Sequence, residues 1–564
     1  MPINKLLIII PLLGYLFGQT TGKVSGSITD KITSESLPGT NIYLEQTPYG
    51  TASDRDGHFS IINIPPGNYT LKVDMIGYKS VRLEAVKISV NRTLSLDIEM
   101  EQTVIEGEVV TVEVARVAQK KDQTGTIKNI SGDEINALPV ESIASVINMQ
   151  AGVVNGHFRG GRNTEVTYMI DGVQVDETFG GSSAAVEIQP EAVQDLEVIT
   201  GTFNAEYGRA MSGVVNVITK DGGPIFEGFA SAGLSFFQTR NTDIFIGLSP
   251  ELNRSQDLKF SLGGPLLGKK ITFFTNVRVQ DNKGHLNGHR IFTVTDISNF
   301  YSDDSSEWTS SKSGDSSYVP MNTSENLSAL FKLSFNLFDG IRFSFLHSKS
   351  DDSWFGYDHG FKYNPDGRAG SYKETSYSSF QLNHMINPKL FYELKVSYLD
   401  NYTGNYLFKD PFDHIIADTA GMYHDGNLHE IGDTVYSYVH DKYLENYGSG
   451  FFTGGQQKNH SILSMIDKTV KFDLNWQANY NHNIKLGLLG ISHDVDQQWR
   501  AIRNKYDGEA SLADIYKPEI FGDTTVYADI YKVAPQEAAA YIQDKMEFDE
   551  MVVNIGIRYD YFDP

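Results

Sequence analysis

The chain has 564 residues, 40% of them hydrophobic and 21% charged, a balance that excludes wholesale disorder and leaves core material for several domains. It contains no cysteine, which excludes disulfides and thiolate metal sites. A formal net charge of −24 excludes a broad electrostatic attraction to nucleic acid.

Residues 1–19 join Lys5 to the apolar stretch Leu6 to Phe17, with a small, polar exit at Gly18 to Thr20. That is the pattern of a cleaved secretory signal peptide. As a membrane anchor the stretch is too short, and Pro11 and Gly14 interrupt it. No later run is apolar for the ~18 residues a spanning helix needs, so any membrane crossing must be made by strands.

Residues 22–105 read as short strands between strong turn signals. Tyr69, Leu71, Val73 and Met75 alternate with Thr70, Lys72 and Asp74, and Leu94, Leu96, Ile98 and Met100 repeat the period of two. Leu37-Pro38-Gly39, Asp54-Arg55-Asp56-Gly57 and Pro65-Pro66-Gly67 supply the turns. A small β-sandwich is expected. The order of Gly26-Ser-Ile-Thr-Asp30, Leu37-Pro-Gly-Thr-Asn-Ile42, Gly50 to Gly57 with Phe59, Pro66-Gly67-Asn68-Tyr69 and Ile76-Gly77-Tyr78 resembles the carboxypeptidase regulatory-like domain. The resemblance implies an accessory fold and no peptidase activity. Asp54-x-Asp56-Gly57 offers half a calcium loop without the later ligands, so it is read as a turn.

Residues 106–222 open on the valine-rich segment Val109, Val110, Thr111, Val112. By pattern it is either a final strand of the sandwich or an exposed extended segment able to add to another protein's sheet edge. A short helix is expected over Ile143 to Met149. It is followed by Phe158-Arg159-Gly160-Gly161-Arg162, an apolar strand Val166 to Ile170, the turn Asp171-Gly172, a strand Val193 to Thr200, Ala205-Glu206-Tyr207-Gly208 and Gly213 to Lys220. In this order the pieces resemble the plug domain of TonB-dependent receptors, a mixed α/β plug that blocks a barrel lumen. The resemblance implies that Val109, Val110, Thr111 and Val112 form the TonB box on which the energy-coupling protein pulls. Arg159 and Arg162, flanking Gly160 and Gly161, are candidates for anchoring the plug on carboxylates of the barrel wall, or else are solvated charges beside a glycine turn.

Residues 223–564 alternate apolar and polar positions, as in Phe331, Leu333, Phe335 against Lys332, Ser334, or Tyr392, Leu394, Val396 against Glu393, Lys395. Short turns near Leu266–Lys270, Phe338–Gly340, Asn387–Pro388 and Asn481–Asn483 alternate with long connections near 281–325, 348–376, 400–468 and 495–537. That alternation, with strands of about ten residues, is the signature of an outer-membrane antiparallel β-barrel. About eleven strands are expected, and an odd number cannot close antiparallel. The expectation is therefore the first half of a longer barrel, the receptors it resembles carrying about twice as many strands.

Two motifs lead nowhere. Gly263-Gly-Pro-Leu-Leu-Gly268-Lys269 lacks the Ser or Thr and the helix of a P-loop, and His429-Glu430 lacks the second His of a zincin. The fold class expected is mainly β: sandwich, plug and partial transmembrane barrel, in the outer membrane with the sandwich in the periplasm. No catalytic site, metal or cofactor is expected. The resemblance implies energised import of a scarce nutrient, such as a siderophore, cobalamin, glycan or peptide, with TonB and its inner-membrane complex, outer-membrane lipid, the nutrient and a surface lipoprotein as partners. The alternative is an adhesion or secretion component on the same fold. The loop aromatics Tyr402, Phe412, His414, Tyr436, Tyr438 and His440 are candidates either for ligand stacking or for packing on one another.

Overall fold

The computed structural model describes residues 21–103, 109–113, 125–177, 184–250, 254–300, 302–338, 340–416, 434–444, 450–507, 516–548 and 551–564. The segment read as a signal peptide and the pair His429-Glu430 lie outside the described residues.

Two sheets face each other in the first domain. One joins Gly22–Asp30 to His58–Ile64, Thr93–Ser95 and Ile98–Met100. The other runs Gly50–Ala52, Asn41–Leu44, Gly67–Asp74, Ser80–Ile88, Val109–Glu113. The inward members of the alternating strands, Ile42, Leu71, Val73, Val81, Leu83, Val86 and Met100 among them, close one apolar core. Val109–Glu113 is the edge strand, parallel to Ser80–Ile88 with Ser80 opposite Val109 and Glu84 opposite Glu113. The sheet thus runs on past residue 105, and the valine segment lies on its edge. The Asp54 carboxylate accepts the backbone N–H groups of Asp56 (3.0 Å) and His58 (2.9 Å), so this loop folds back on its own side chain.

The plug is a five-stranded mixed sheet ordered Ile127–Ser131, Val193–Ile199, Gly213–Thr219, Val166–Ile170, Val173–Gln174. Its helices Gly132–Asn136 and Ile143–Asn148 are capped by Ser131, in a capping box with Glu134, and by Ser142. Plug residues such as Val146, Val193, Leu196 and Val215 share one apolar core with Leu330, Leu346, Tyr377 and Met465 of the sheet that follows.

That third sheet carries eleven strands paired antiparallel in chain order from Glu227–Ser235 to Val552–Asp563, with a short twelfth, Ala528–Val533, beside the outer half of His482–Ala501. Its end strands do not pair with each other among the described residues. The two faces are inverted relative to a soluble protein. Phe331, Val396, Val470, Trp476, Ile555 and Ile557 are exposed outward, while Lys332, Ser334, Glu393, Lys395, Asp473 and Asn475 are buried inward. Such a sheet faces hydrocarbon on one side and a filled polar lumen on the other. Gly263 to Lys270, the near-match to a phosphate loop, is the end of the strand Ser255–Leu267 and the tight turn into Ile271–Asn282.

Several strands are longer than the expected ten residues, reaching 20 in His482–Ala501. The extra length lies on the side of the long connections. There polar residues occupy both faces, as in Ser348 to Asp352 paired with Lys373 to Tyr377, and main-chain pairing continues beyond the apolar belt.

Candidate functional site

The plug meets the wall through one tight turn. Asp171 and Gly172 have φ of +48° and +76°, the left-handed pair of a two-residue hairpin turn between Val166–Ile170 and Val173–Gln174. The Asp171 carboxylate accepts the Thr219 N–H (2.9 Å) and hydroxyl (2.7 Å), which ties the turn to the end of the neighbouring plug strand. It also accepts the Lys332 ammonium at 3.0 Å, and both side chains are over 90% buried.

Two more lysines close on the tip. Lys395 donates to the Asp171 carbonyl (2.9 Å) and Lys471 to the Gly172 carbonyl (3.0 Å). Lys395 and Lys471 stand directly opposite each other on paired strands, as do Glu393 and Asp473. Like charges across a ladder repel. Here each lysine pairs along its own strand, Lys395 with Glu393 (3.0 Å) and Lys471 with Asp473 (3.4 Å), and gives one further bond to a plug carbonyl. The wall is thus a cationic socket and the turn is the plug's tip in it.

A second contact sits where the plug chain passes into the wall. Asp221 reaches Lys332 (3.3 Å), the Ser334 hydroxyl (2.8 Å) and the Arg342 guanidinium. Burial alone would raise the Asp221 carboxyl, but Arg342 and then Lys332 outweigh it and hold it well below the usual carboxylate range. Elsewhere between plug and wall the same polarity recurs. Glu206 pairs with Lys485 (3.1 Å), Glu177 with Lys373 (2.6 Å), and Glu141 with Arg278 (3.0 Å) and Lys259 (2.5 Å). Arg209 with Glu537 (2.9 Å) runs the other way.

Arg159 and Arg162 are exposed, and the bonds seen for them stay within the plug. The Arg159 guanidinium donates to the Thr126 hydroxyl (2.6 Å), and the Arg162 backbone N–H donates to Glu165 (3.1 Å). Gly160 has φ of +79° and Arg159 itself +48°, so this segment is a left-handed turn in which the glycine is the unstrained member. The sequence offers two readings of these arginines, anchoring on wall carboxylates or solvated charges beside a glycine turn, and the exposure and contacts seen here are those of the second. Among the described residues most plug–wall pairs have the opposite signs, and the wall lysines and Asp221 were missed. The available signal was the spacing Glu393-x-Lys395 and Lys471-x-Asp473, which puts an ion pair on the inward face of each strand.

Glu197, fully buried in the plug, accepts from Asn91 of the sandwich (3.2 Å), the Tyr207 hydroxyl (3.3 Å) and Asn216 (3.4 Å), while its Oε1 has no partner among the described residues. Burial first, then the neighbouring Glu206 carboxylate, pushes its carboxyl from an ordinary value near 4.5 up to about 7. A carboxyl raised in the folded state contributes stability that is full in acid and is lost as the pH rises through that higher value. Relative to wild type, Glu197→Gln is therefore expected to gain on the order of 2–3 kcal/mol between pH 5 and pH 8. Thermal unfolding of both proteins in detergent at the two pH values measures this, and a gap independent of pH would rule out a buried neutral acid.

The loop aromatics mostly pack on their own neighbourhood. Tyr438 is buried with its ring 5.0 Å from Phe408, Tyr402 bonds Tyr406 (3.4 Å) under Lys409, and His440 meets Tyr516. Phe412 stays exposed, and His414 pairs with Tyr436 across a short ladder. A cleft of about 290 Å³ opens instead between the plug's Glu187 and Gln189 and the wall's Arg278, Glu325, Asp352 and Trp354.

Comparison with known proteins agrees with this architecture. A CarboxypepD_reg-like domain matches residues 24–112 and a TonB-dependent Receptor Plug Domain matches residues 119–215. The first match runs through Val112, as does the sandwich's edge strand. The TonB-dependent transporter Oar of Myxococcus xanthus is 26% identical over 323 residues, covering 50% of this chain and 29% of that one. TonB-dependent receptor P3 of Formosa agariphila is 28% identical over 235 residues, 39% of this chain and 22% of that one. The matched region thus spans less than a third of either relative. Among solved structures, the outer membrane transporter YddB from Escherichia coli superposes with a TM-score of 0.51 at 13% identity, over 77% of this chain and 56% of that one.

Proposed function

Because this chain carries the regulatory-like and plug domains of a TonB-dependent receptor followed by strands of the receptor's outer-membrane barrel, we propose that it imports a nutrient across the outer membrane with energy delivered by TonB. The observation that carries this reading is the socket. A plug that shares its apolar core with the wall is also tied to it at two acidic points, Asp171 and Asp221 among Lys332, Lys395, Lys471 and Arg342, and these ties are the contacts a pull has to break to withdraw it. The nutrient would meet the cleft between Glu187 and Trp354 first, and the path past it would open only when the Asp171 turn left the lysines.

Val109, Val110, Thr111 and Val112 are the handle in this reading. As a sheet-edge strand with one side unpaired among the described residues, Val109–Glu113 suits the addition of a partner strand through main-chain bonds, and several such bonds share a load. Proline at position 110 removes one N–H and cannot continue the ladder. Val110→Pro is expected to weaken capture of the detergent-solubilised receptor by immobilised TonB periplasmic domain at least about tenfold, roughly 1.4 kcal/mol. Equal capture of variant and wild type would remove the handle from this segment.

A further inference from the structure

The sandwich is docked on the end of the barrel that carries the short turns. His58 stacks on Tyr480 with ring centroids 4.3 Å apart, Lys23 pairs with Glu547 (2.7 Å), and Lys269 bonds Gln46 (3.2 Å). The amides of Asn63 and Asn383 bond reciprocally at 2.8 Å. On the plug, the Val90 N–H donates to Asp195 (3.0 Å), Asn91 to Glu197 (3.2 Å), and Lys87 pairs with Glu134 (3.2 Å). One domain therefore bridges wall and plug across the same mouth.

The character of this joint differs from that of the plug's seat. The plug's apolar core is continuous with wall residues, whereas the sandwich core closes on itself with no residue from either among those described. Apart from the His58–Tyr480 stack and the Ile62 side chain, the joint is made of amides, ammonium groups and carboxylates, around a cavity of about 50 Å³ lined by Lys23, Asn204, Glu206, Lys485 and Gln543. A polar inter-domain surface exchanges its bonds for water at little net cost and is the kind that comes apart. Traction also has a route to it. The edge strand Val109–Glu113 is held by the ladder to Ser80–Ile88, so a pull on that strand loads the sandwich through five facing residue pairs as well as the plug through the chain.

We propose that the sandwich is a second stopper, displaced from the barrel mouth by the same TonB pull that opens the plug. The inference rests on the handle reading of Val109 to Val112. Its test uses the absence of native cysteine. Asn383→Cys places a thiol on the wall under Asn63, and Ile62→Cys places one on the sandwich beside the joint cavity; these positions are 8% and 2% exposed. In cells bearing either single-cysteine protein, labelling by a small maleimide is expected to be about tenfold faster during respiration than after a protonophore. Adding Val110→Pro should abolish the difference. Labelling that stays slow in respiring cells, while the solubilised protein still captures TonB periplasmic domain, overturns the second stopper and leaves the handle standing. Failure of that capture in the otherwise native chain overturns both.

Discussion

Asp171→Ala is expected to loosen the plug more than any other single change in the socket. The substitution removes the carboxylate that holds Lys332 at 3.0 Å and the two bonds from Thr219, and it leaves an ammonium 95% buried with Asp221 as its remaining anion. Breaking one partner out of a buried pair costs about 3–5 kcal/mol, because the survivor stays desolvated. Alanine also takes a left-handed conformation at φ +48°, adding about 1 kcal/mol. Against a typical domain stability of about 5–15 kcal/mol this is a large share. A lower unfolding temperature in detergent and increased entry of a large antibiotic such as vancomycin into cells are the readouts. Asp171→Asn separates charge from turn, since asparagine tolerates the left-handed region and keeps an acceptor for Thr219. It should lie between wild type and alanine, and Lys332→Met should recover part of the loss in the double variant, as two contacting groups do in a cycle. If Asp171→Ala unfolds and leaks like wild type, the turn is not the latch.

The Asp171-Gly172 turn was legible because its signal is local: two residues whose φ must be positive, between two apolar runs. What the turn touches was not, because Lys332, Lys395 and Lys471 come from three strands separated by long connections, and only the sheet brings them together. The alternation that marked Lys395 and Lys471 as inward is also local, but it says nothing about their facing each other. That depends on the register of Leu390–Tyr406 against Asn459–Gln477, set across a connection of some 50 residues. Arg159 and Arg162 stand in the sequence as charges among glycines, a setting that fits a wall anchor and a solvated turn alike. A left-handed turn puts them on the plug's own surface, while the charge complementing a lysine-lined wall has to be acidic.

The valine segment shows the same division. Val109 to Val112 reads as extended from side-chain branching alone. Its placement beside Ser80–Ile88, parallel and at an edge, is a tertiary fact. The two readings of the segment, sandwich strand and handle, are compatible because an edge strand has one side committed and one side open. The outer loops were legible as loops. Their aromatic content marked mutual packing for Tyr438 and Tyr402, where rings sit against Phe408 and Tyr406, rather than a ligand cage.

Gly26→Val should unfold the sandwich and nothing else. Gly26 belongs to the run that matched the regulatory-like pattern, and its reason lies in a crossing of the chain. Gly22–Asp30 pairs in parallel with Thr93–Ser95 at one end and with Ile98–Met100 at the other, and residues 96–97 pass between the two ladders directly over Gly26. A Cβ there would stand 1.8 Å from the Leu96 carbonyl oxygen and 2.6 Å from its carbon. Both obstacles are backbone, and the crossing is pinned by the Leu96 N–H to the Ser25 carbonyl (2.9 Å) and by the Ser27 hydroxyl to Asp97 (2.7 Å), so neither rotamer change nor a small shift relieves the clash. At roughly 0.05–0.15 kcal/mol per residue a domain of this size holds only about 4–12 kcal/mol in all, and a backbone clash of this depth, relieved only by parting the two parallel ladders, removes a large share of it. Since no described sandwich residue belongs to the plug–wall core, the damage should stop at the joint. Limited trypsin treatment of the solubilised variant is expected to remove the region before residue 114 and leave the remainder protected, at concentrations that leave the wild type intact. Cleavage spreading into the plug strands would mean that the polar joint, and not the lysine socket, is what keeps the plug folded in the barrel.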